Sequence, residues 1–142
     1  MDGIPIHLGC GTAYFRQGEI IDFYIVNTMP TNHPIHIHLA NFQIVSRFEF
    51  NTTAYLAEWN RVNGVIPPRG YTRTPKELDP RPFRTSSVLP PKDHEKLFMD
   101  VIEAPPGQVT LARFRIANHN GNNFPFKVSG MRYVWHCHIL EH

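Results

Sequence analysis

The chain has 142 residues, 42% of them hydrophobic and 12% aromatic, and a formal net charge of +2. A globular chain of this length buries roughly two-thirds of its unfolded surface, so one folded domain over 1–142 is expected and intrinsic disorder is excluded. The balanced charge, without a Lys- and Arg-rich cluster, argues against nucleic acid or an anionic membrane as partner, and no apolar run approaches the ~20 residues of a membrane-spanning helix.

In chain order, Ile4 to Leu8 and Thr12 to Phe15 are short strand candidates on either side of the turn Gly9-Cys10-Gly11, where Cys10 reads as a buried or turn thiol. Gln17-Gly18 opens Glu19 to Thr28, whose Ile20, Ile21, Phe23, Tyr24, Ile25 and Val26 form a nearly continuous apolar run and predict a central strand. Met29-Pro30-Thr31-Asn32 is a turn, and a histidine-rich segment follows it. Leu39 to Phe50 predicts another strand, with Phe42, Ile44 and Val45 apolar and Asn41 and Gln43 as polar alternates. Asn51-Thr52-Thr53 is a formal glycosylation sequon, of consequence only in a secreted eukaryotic protein.

From Ala54 to Lys96 the periodicity dissolves. Seven prolines between Pro67 and Pro91 argue against a central strand or long helix, and Ala54 to Trp59 is expected to form at most a short helix. The stretch 54–96 therefore reads as a surface excursion, a packed loop more than part of a substrate pocket, with His94 solvated among Lys92, Asp93, Glu95 and Lys96. Order returns with Leu97 to Glu103. After Pro105-Pro106-Gly107, the segment Gln108 to Ala117 alternates as a strand with one wet face should. Asn118 to Asn123 is a loop that exposes His119, and Phe124 to Trp135 leads into a last strand over Met131 to His138. About seven or eight strands with turn signals and no long helix predict an all-β Greek-key sandwich with a long Pro-rich loop.

The chemistry is concentrated in two motifs, His33-Pro34-Ile35-His36-Ile37-His38 and Trp135-His136-Cys137-His138-Ile139-Leu140-Glu141-His142. Successive strand residues point to opposite faces, so His136 and His138 share one face while Cys137 takes the other. A lone thiolate with two imidazoles is the ligand set of an electron-transfer copper, and His142 is assigned as one of those imidazoles. Upstream, His36 and His38 share a face by the same rule, and His33, set off by Pro34, can bend toward the Cys137 side. The two motifs together point to metal binding at two centres. With two cysteines in different settings, no disulfide framework is expected.

The wording H-P-I-H-I-H followed by W-H-C-H-I-L-E-H resembles the C-terminal cupredoxin (plastocyanin-like) domain of multicopper oxidases, most of all the spore-coat laccase and bilirubin oxidase branch. The resemblance covers most of the chain. It implies that His33, Cys137 and His142 bind a type 1 copper, His36 a type 2 copper, and His38, His136 and His138 a type 3 pair. It further implies one-electron oxidation of a phenolic or other reducing substrate at the type 1 copper, with electrons passed through Cys137 to His136 and His138 and dioxygen reduced to water. In many laccases a glycine follows the H-x-H pair, where this chain carries Leu39. The axial type 1 ligand of the family, usually Met or Leu, falls beyond the position of His142.

The family cluster needs two further H-x-H pairs, and none occurs among His7, His94 and His119. An N-terminal cupredoxin domain or a second copy of this chain is therefore the expected partner. The resemblance implies a secreted, cell-surface or spore-coat setting, while Met1-Asp2-Gly3-Ile4-Pro5 carries no recognisable signal segment. Two other readings stay open from the residues: a single-domain blue copper protein that carries electrons or stores copper, and a structural zinc site. Glu141 is expected either beside a ligand imidazole or in a surface salt bridge, with Tyr133 and Trp135 packed around the site.

Overall fold

Strand formation follows the β-branched and aromatic runs. In the structure, a computed structural model that describes residues 14–65, 75–131 and 133–139, six strands form: β1 (Ile20–Val26), β2 (His33–Ile37), β3 (Phe42–Glu49), β4 (Val101–Ala104), β5 (Gln108–Arg115) and β6 (Trp135–Cys137). One helix, α1 (Thr52–Asn63), follows β3. All strand pairs are antiparallel. The first sheet has the order β1-β5-β3 and the second β4-β2-β6, so every step from one strand to the next crosses between sheets.

The two sheets close on one apolar core. Ile35 and Ile37 of β2, Phe42 and Ile44 of β3, Ile102 and Ala104 of β4, and Ala112 and Phe114 of β5 are all buried in it. Phe23 and Phe42 each pack edge-on against Phe114, with ring centroids 5.0 and 5.5 Å apart, a geometry that aligns ring edges with ring faces. This is the all-β sandwich that the strand count predicts.

β3 carries a feature that no local pattern announces. The register shifts between Ile44 and Ser46, a bulge that makes Val45 an extra residue and reverses which face each later side chain takes. Arg47 is thereby turned inward, opposite Thr110, while Phe48, opposite Val109, is turned to the outer face. On that outer face Phe48, Phe50, Tyr55 and Val109 form a second cluster, to which Trp59 of α1 and Phe83 are added. Inward, the Arg47 guanidinium donates to Glu95, to Thr110 Oγ1 and to the Glu103 carbonyl. Both partners of the Arg47–Glu95 pair are buried, and the pair fastens the end of the Pro-rich excursion to the sandwich.

Three expectations are corrected. α1 runs for 12 residues, twice the stretch expected to be helical, because Asn51 caps it by accepting from the Ala54 amide and Gly64 ends it at φ 82°. β1 pairs only with β5 among the described residues, and Ile20 and Tyr24 face solvent, so β5 is the central strand. β6 spans three residues rather than eight, since Met131, Tyr133, Val134 and His138 take no strand conformation. The expected strand Ile4 to Leu8, the first half of Thr12 to Phe15, and His7 and Cys10 lie outside the described residues, while Tyr14 and Phe15 are described and form no strand. No described helix is long and apolar enough to cross a membrane.

Candidate metal centre

The central strand of the second sheet, β2, brings the two histidine motifs together. Its register with β6 pairs Ile35 with Cys137, His36 with His136 and Ile37 with Trp135. The ladder continues at both ends, His38 N–H donating to the Val134 carbonyl and His138 N–H to the Pro34 carbonyl. A proline inside a central strand forfeits a ladder bond. Pro34 sits at the second position of β2, opposite the residue where β6 has ended, so a single bond is lost at the rim of the sheet.

Alternation then sorts the side chains. Ile35 and Ile37 are in the core, so His33 shares their inward face and His36 and His38 project outward. On β6, Trp135 and Cys137 pack against the core, and His136 and His138 project outward. His33 needs no bend to reach the Cys137 side, because it lies two residues before Ile35 on the same face. Its Nδ1 is 3.4 Å from Cys137 Sγ, a diagonal cross-strand contact.

On the outward face, ligand atoms of His36, His38 and His136 all lie within 4.8 Å of one another. His138 joins them, its ring centroid 5.3 Å from His36 and 4.7 Å from His136. Three imidazoles thus bring their ligand nitrogens to one spot, with the ring of a fourth packed beside them, the arrangement a metal ion rewards. Hydrogen bonds orient two of the rings. His36 Nδ1 is 2.9 Å from the Asp100 carbonyl and donates to it, and His136 Nδ1 is 3.1 Å from the Cys137 carbonyl. With each Nδ1 serving as donor, Nε2 is the nitrogen left with a lone pair for a metal. One sulfur donor beside the His33 imidazole on one face, and imidazoles alone on the other, is a donor set that fits copper.

The remaining site residues fall as follows. His142, and with it Glu141, lies outside the described residues. His94 and His119 are exposed, as expected, and neither is a member of the close ligand-atom group. Trp135 packs edge-on against Phe23 at 5.9 Å, but Tyr133 is 41% exposed and does not enclose the site. Sequence reasoning missed Asp100, Thr31 and Asn27. Asp100 meets His36 only through the β2–β4 register, with Asp100 Oδ2 3.8 Å from His36 Nδ1, a pairing across 64 residues that carries no local signal. Thr31 and Asn27 lie close to His33 in sequence, yet look like ordinary turn residues.

A sequence model of the family described as "Multicopper oxidase" matches residues 11–142. The chain is 33% identical to a laccase of Bacillus stratosphericus over 127 residues, covering 89% of this chain and 19% of that protein. It is 36% identical to a laccase of Bacillus subtilis over 118 residues, covering 83% of this chain and 17% of that protein. A rice protein named multicopper oxidase LPR1 homolog 3 is 31% identical over 123 residues, covering 84% and 21% respectively. The chain thus spans about one fifth of the length of these curated relatives.

Proposed function

This chain belongs to the multicopper oxidase family, a family of copper-dependent oxidoreductases, and from that premise we propose that it is the cupredoxin domain that bears the type 1 ligands of a laccase-like oxidase. In this reading His33, Cys137 and His142 hold a type 1 copper; His36 serves a type 2 copper, and His38, His136 and His138 a type 3 pair. Bound there, copper supplies the one-electron couple that accepts electrons from a phenolic or other small reducing substrate and delivers them to dioxygen, which is reduced to water. The carrying observation is the division of donors across one strand pair, with thiolate and His33 inward and four imidazoles outward.

The chain's own contribution is position. Cys137 and His136 are joined by one peptide bond and by the hydrogen bond from His136 Nδ1 to the Cys137 carbonyl, so the inner and outer faces are linked through a short covalent and hydrogen-bonded route. Cys137 is half-buried, one side of it packed against the core that contains Ile35, Ile37 and Phe42. The outward face holds half of the imidazoles a trinuclear site requires. An N-terminal cupredoxin domain, or a second copy of the chain, supplies the other half.

Oxygen uptake with a phenolic donor, followed on the assembled copper-loaded oxidase, tests this reading. His136→Ala is expected to abolish uptake while leaving a blue absorption that the donor still bleaches. Uptake that persists in His136→Ala, or a wild-type protein that is bleached but never consumes oxygen, would sink the oxidase assignment in favour of an electron carrier.

A further inference from the structure

Asn27, at the end of β1, is a polar side chain only 6% exposed, and every polar atom of it is engaged. Its Nδ2 donates to the Thr31 carbonyl at 2.7 Å and to the Ala104 carbonyl at 2.8 Å, and its Oδ1 accepts from the Met29 amide at 2.9 Å. Its backbone N–H donates to the Gln108 carbonyl and its carbonyl accepts from Gly107. A buried amide satisfied in this way fixes what it touches, since losing one bond strands a desolvated partner. What it touches is the immediate frame of His33. Thr31 precedes His33 by two residues, and Ala104 is the β4 residue paired with it.

Thr31 Oγ1 in turn lies 3.2 Å from His33 Nε2, on the side of the ring away from Cys137 Sγ. A neutral imidazole carries one N–H. If Nε2 holds it and donates to the threonine hydroxyl, Nδ1 presents its lone pair toward Cys137 Sγ, whose S–H donates to it in the metal-free chain. Ligand histidines are commonly held in their binding tautomer by such a bond from the distal nitrogen. We infer that Thr31, braced by Asn27, is a positioning residue that fixes the tautomer and ring orientation of His33 so that Nδ1 faces Cys137. The inference rests on the reading of His33 and Cys137 as ligands of one copper, but the orientation itself is a property of the metal-free chain.

Two readouts test it. The first is the ring nitrogen chemical shifts of His33 in the copper-free protein, at a pH where the imidazole is neutral. The second is copper affinity at the site that gives the blue band. Wild type is expected to hold the proton on Nε2. Thr31→Val, a near-isosteric change at an exposed residue, is expected to lose that preference and to weaken copper binding about tenfold, and Thr31→Ser to restore both. Asn27→Ala, measured on its folded fraction at low temperature, is expected to move both readouts in the same direction as Thr31→Val. A proton on Nδ1 in wild type, or a Thr31→Val protein with unchanged tautomer and affinity, overturns the inference. A tautomer that depends on Thr31 in a protein that never turns blue supports the orientation and overturns the ligand reading alone.

Discussion

The two sheets of the sandwich divide the work. The first is built from strands of 7, 8 and 8 residues that contain no histidine or cysteine, and it supplies the fully buried Phe42, Val109, Ala112 and Phe114. The second has strands of only 5, 4 and 3 residues, yet it carries His33, His36, His136 and Cys137, with His38 and His138 directly beyond its strand ends. Long, well-buried strands are the stable end of a fold, and short ones with charged or ligating side chains draw stability from what they pack against. A histidine-bearing sheet this short is held in register by the longer sheet it packs against. Stability and chemistry should therefore respond to different substitutions.

The sharpest separation is expected from Cys137→Ser. On copper loading it should lose the blue absorption entirely while shifting unfolding free energy by only about 1 kcal/mol, because the change is one atom at a half-buried site. Retained colour would assign the thiolate elsewhere. The converse is Phe114→Ala in the first sheet. Deleting this wholly buried ring is expected to destabilise the protein by about 3–5 kcal/mol in chemical denaturation and to leave the copper spectrum of the folded fraction unchanged.

Arg47→Met removes the partner of a buried carboxylate and should cost about 3 kcal/mol near neutral pH. Its pH dependence carries the more specific signature. Burial pushes the Glu95 carboxyl up, but the Arg47 guanidinium and the Lys92 amide and charge outweigh it and hold it below the ordinary carboxylate range. In wild type, the contribution of Glu95 is thus present above that range and is lost as pH falls through the depressed value. In Arg47→Met the lowering by Arg47 is gone and burial weighs more, so the stability gap between the two proteins should narrow in acid. A gap that widened on acidification would contradict the pairing.

The smallest expected effect lies where the two sheets meet. Leu39 follows the first histidine motif at φ 70°, the left-handed region in which a β-branched residue is strained. Leu39→Val should destabilise by about 1 kcal/mol, and Leu39→Gly should remain within about 0.5 kcal/mol of wild type as relieved strain offsets lost packing and backbone entropy. Equal effects of the two would mean that backbone conformation is not what limits this position.

These contrasts also show what the sequence could reveal. The outward face was legible because period two needs only neighbours: His36 with His38 and His136 with His138 follow from alternation, and so does Cys137 on the other side. The glycine-like position of Leu39 was legible as well, through the resemblance that flags it. The bulge at Val45 was not, since Ile44-Val45-Ser46-Arg47 reads as ordinary strand and the inward turn of Arg47 is stabilised by Glu95, 48 residues later. The full length of α1 was hidden by weak amphipathicity and depends on its Asn51 cap and on the Phe48, Phe50 and Tyr55 cluster. Asp100 and Asn27 act through partners 64 and 77 residues away, a range at which sequence pattern carries no register.

If the β2–β6 pair carries metal centres on its two opposite faces, the two should fill separately. Stepwise copper addition to the protein, followed by optical absorption and electron spin resonance with copper counted per chain, measures this. One copper per chain is expected to saturate an intense blue thiolate band, with further copper binding through the outward imidazoles and adding nothing to that band. Copper that binds without any thiolate band, or a blue band that disappears in His36→Ala as completely as in Cys137→Ser, would contradict it.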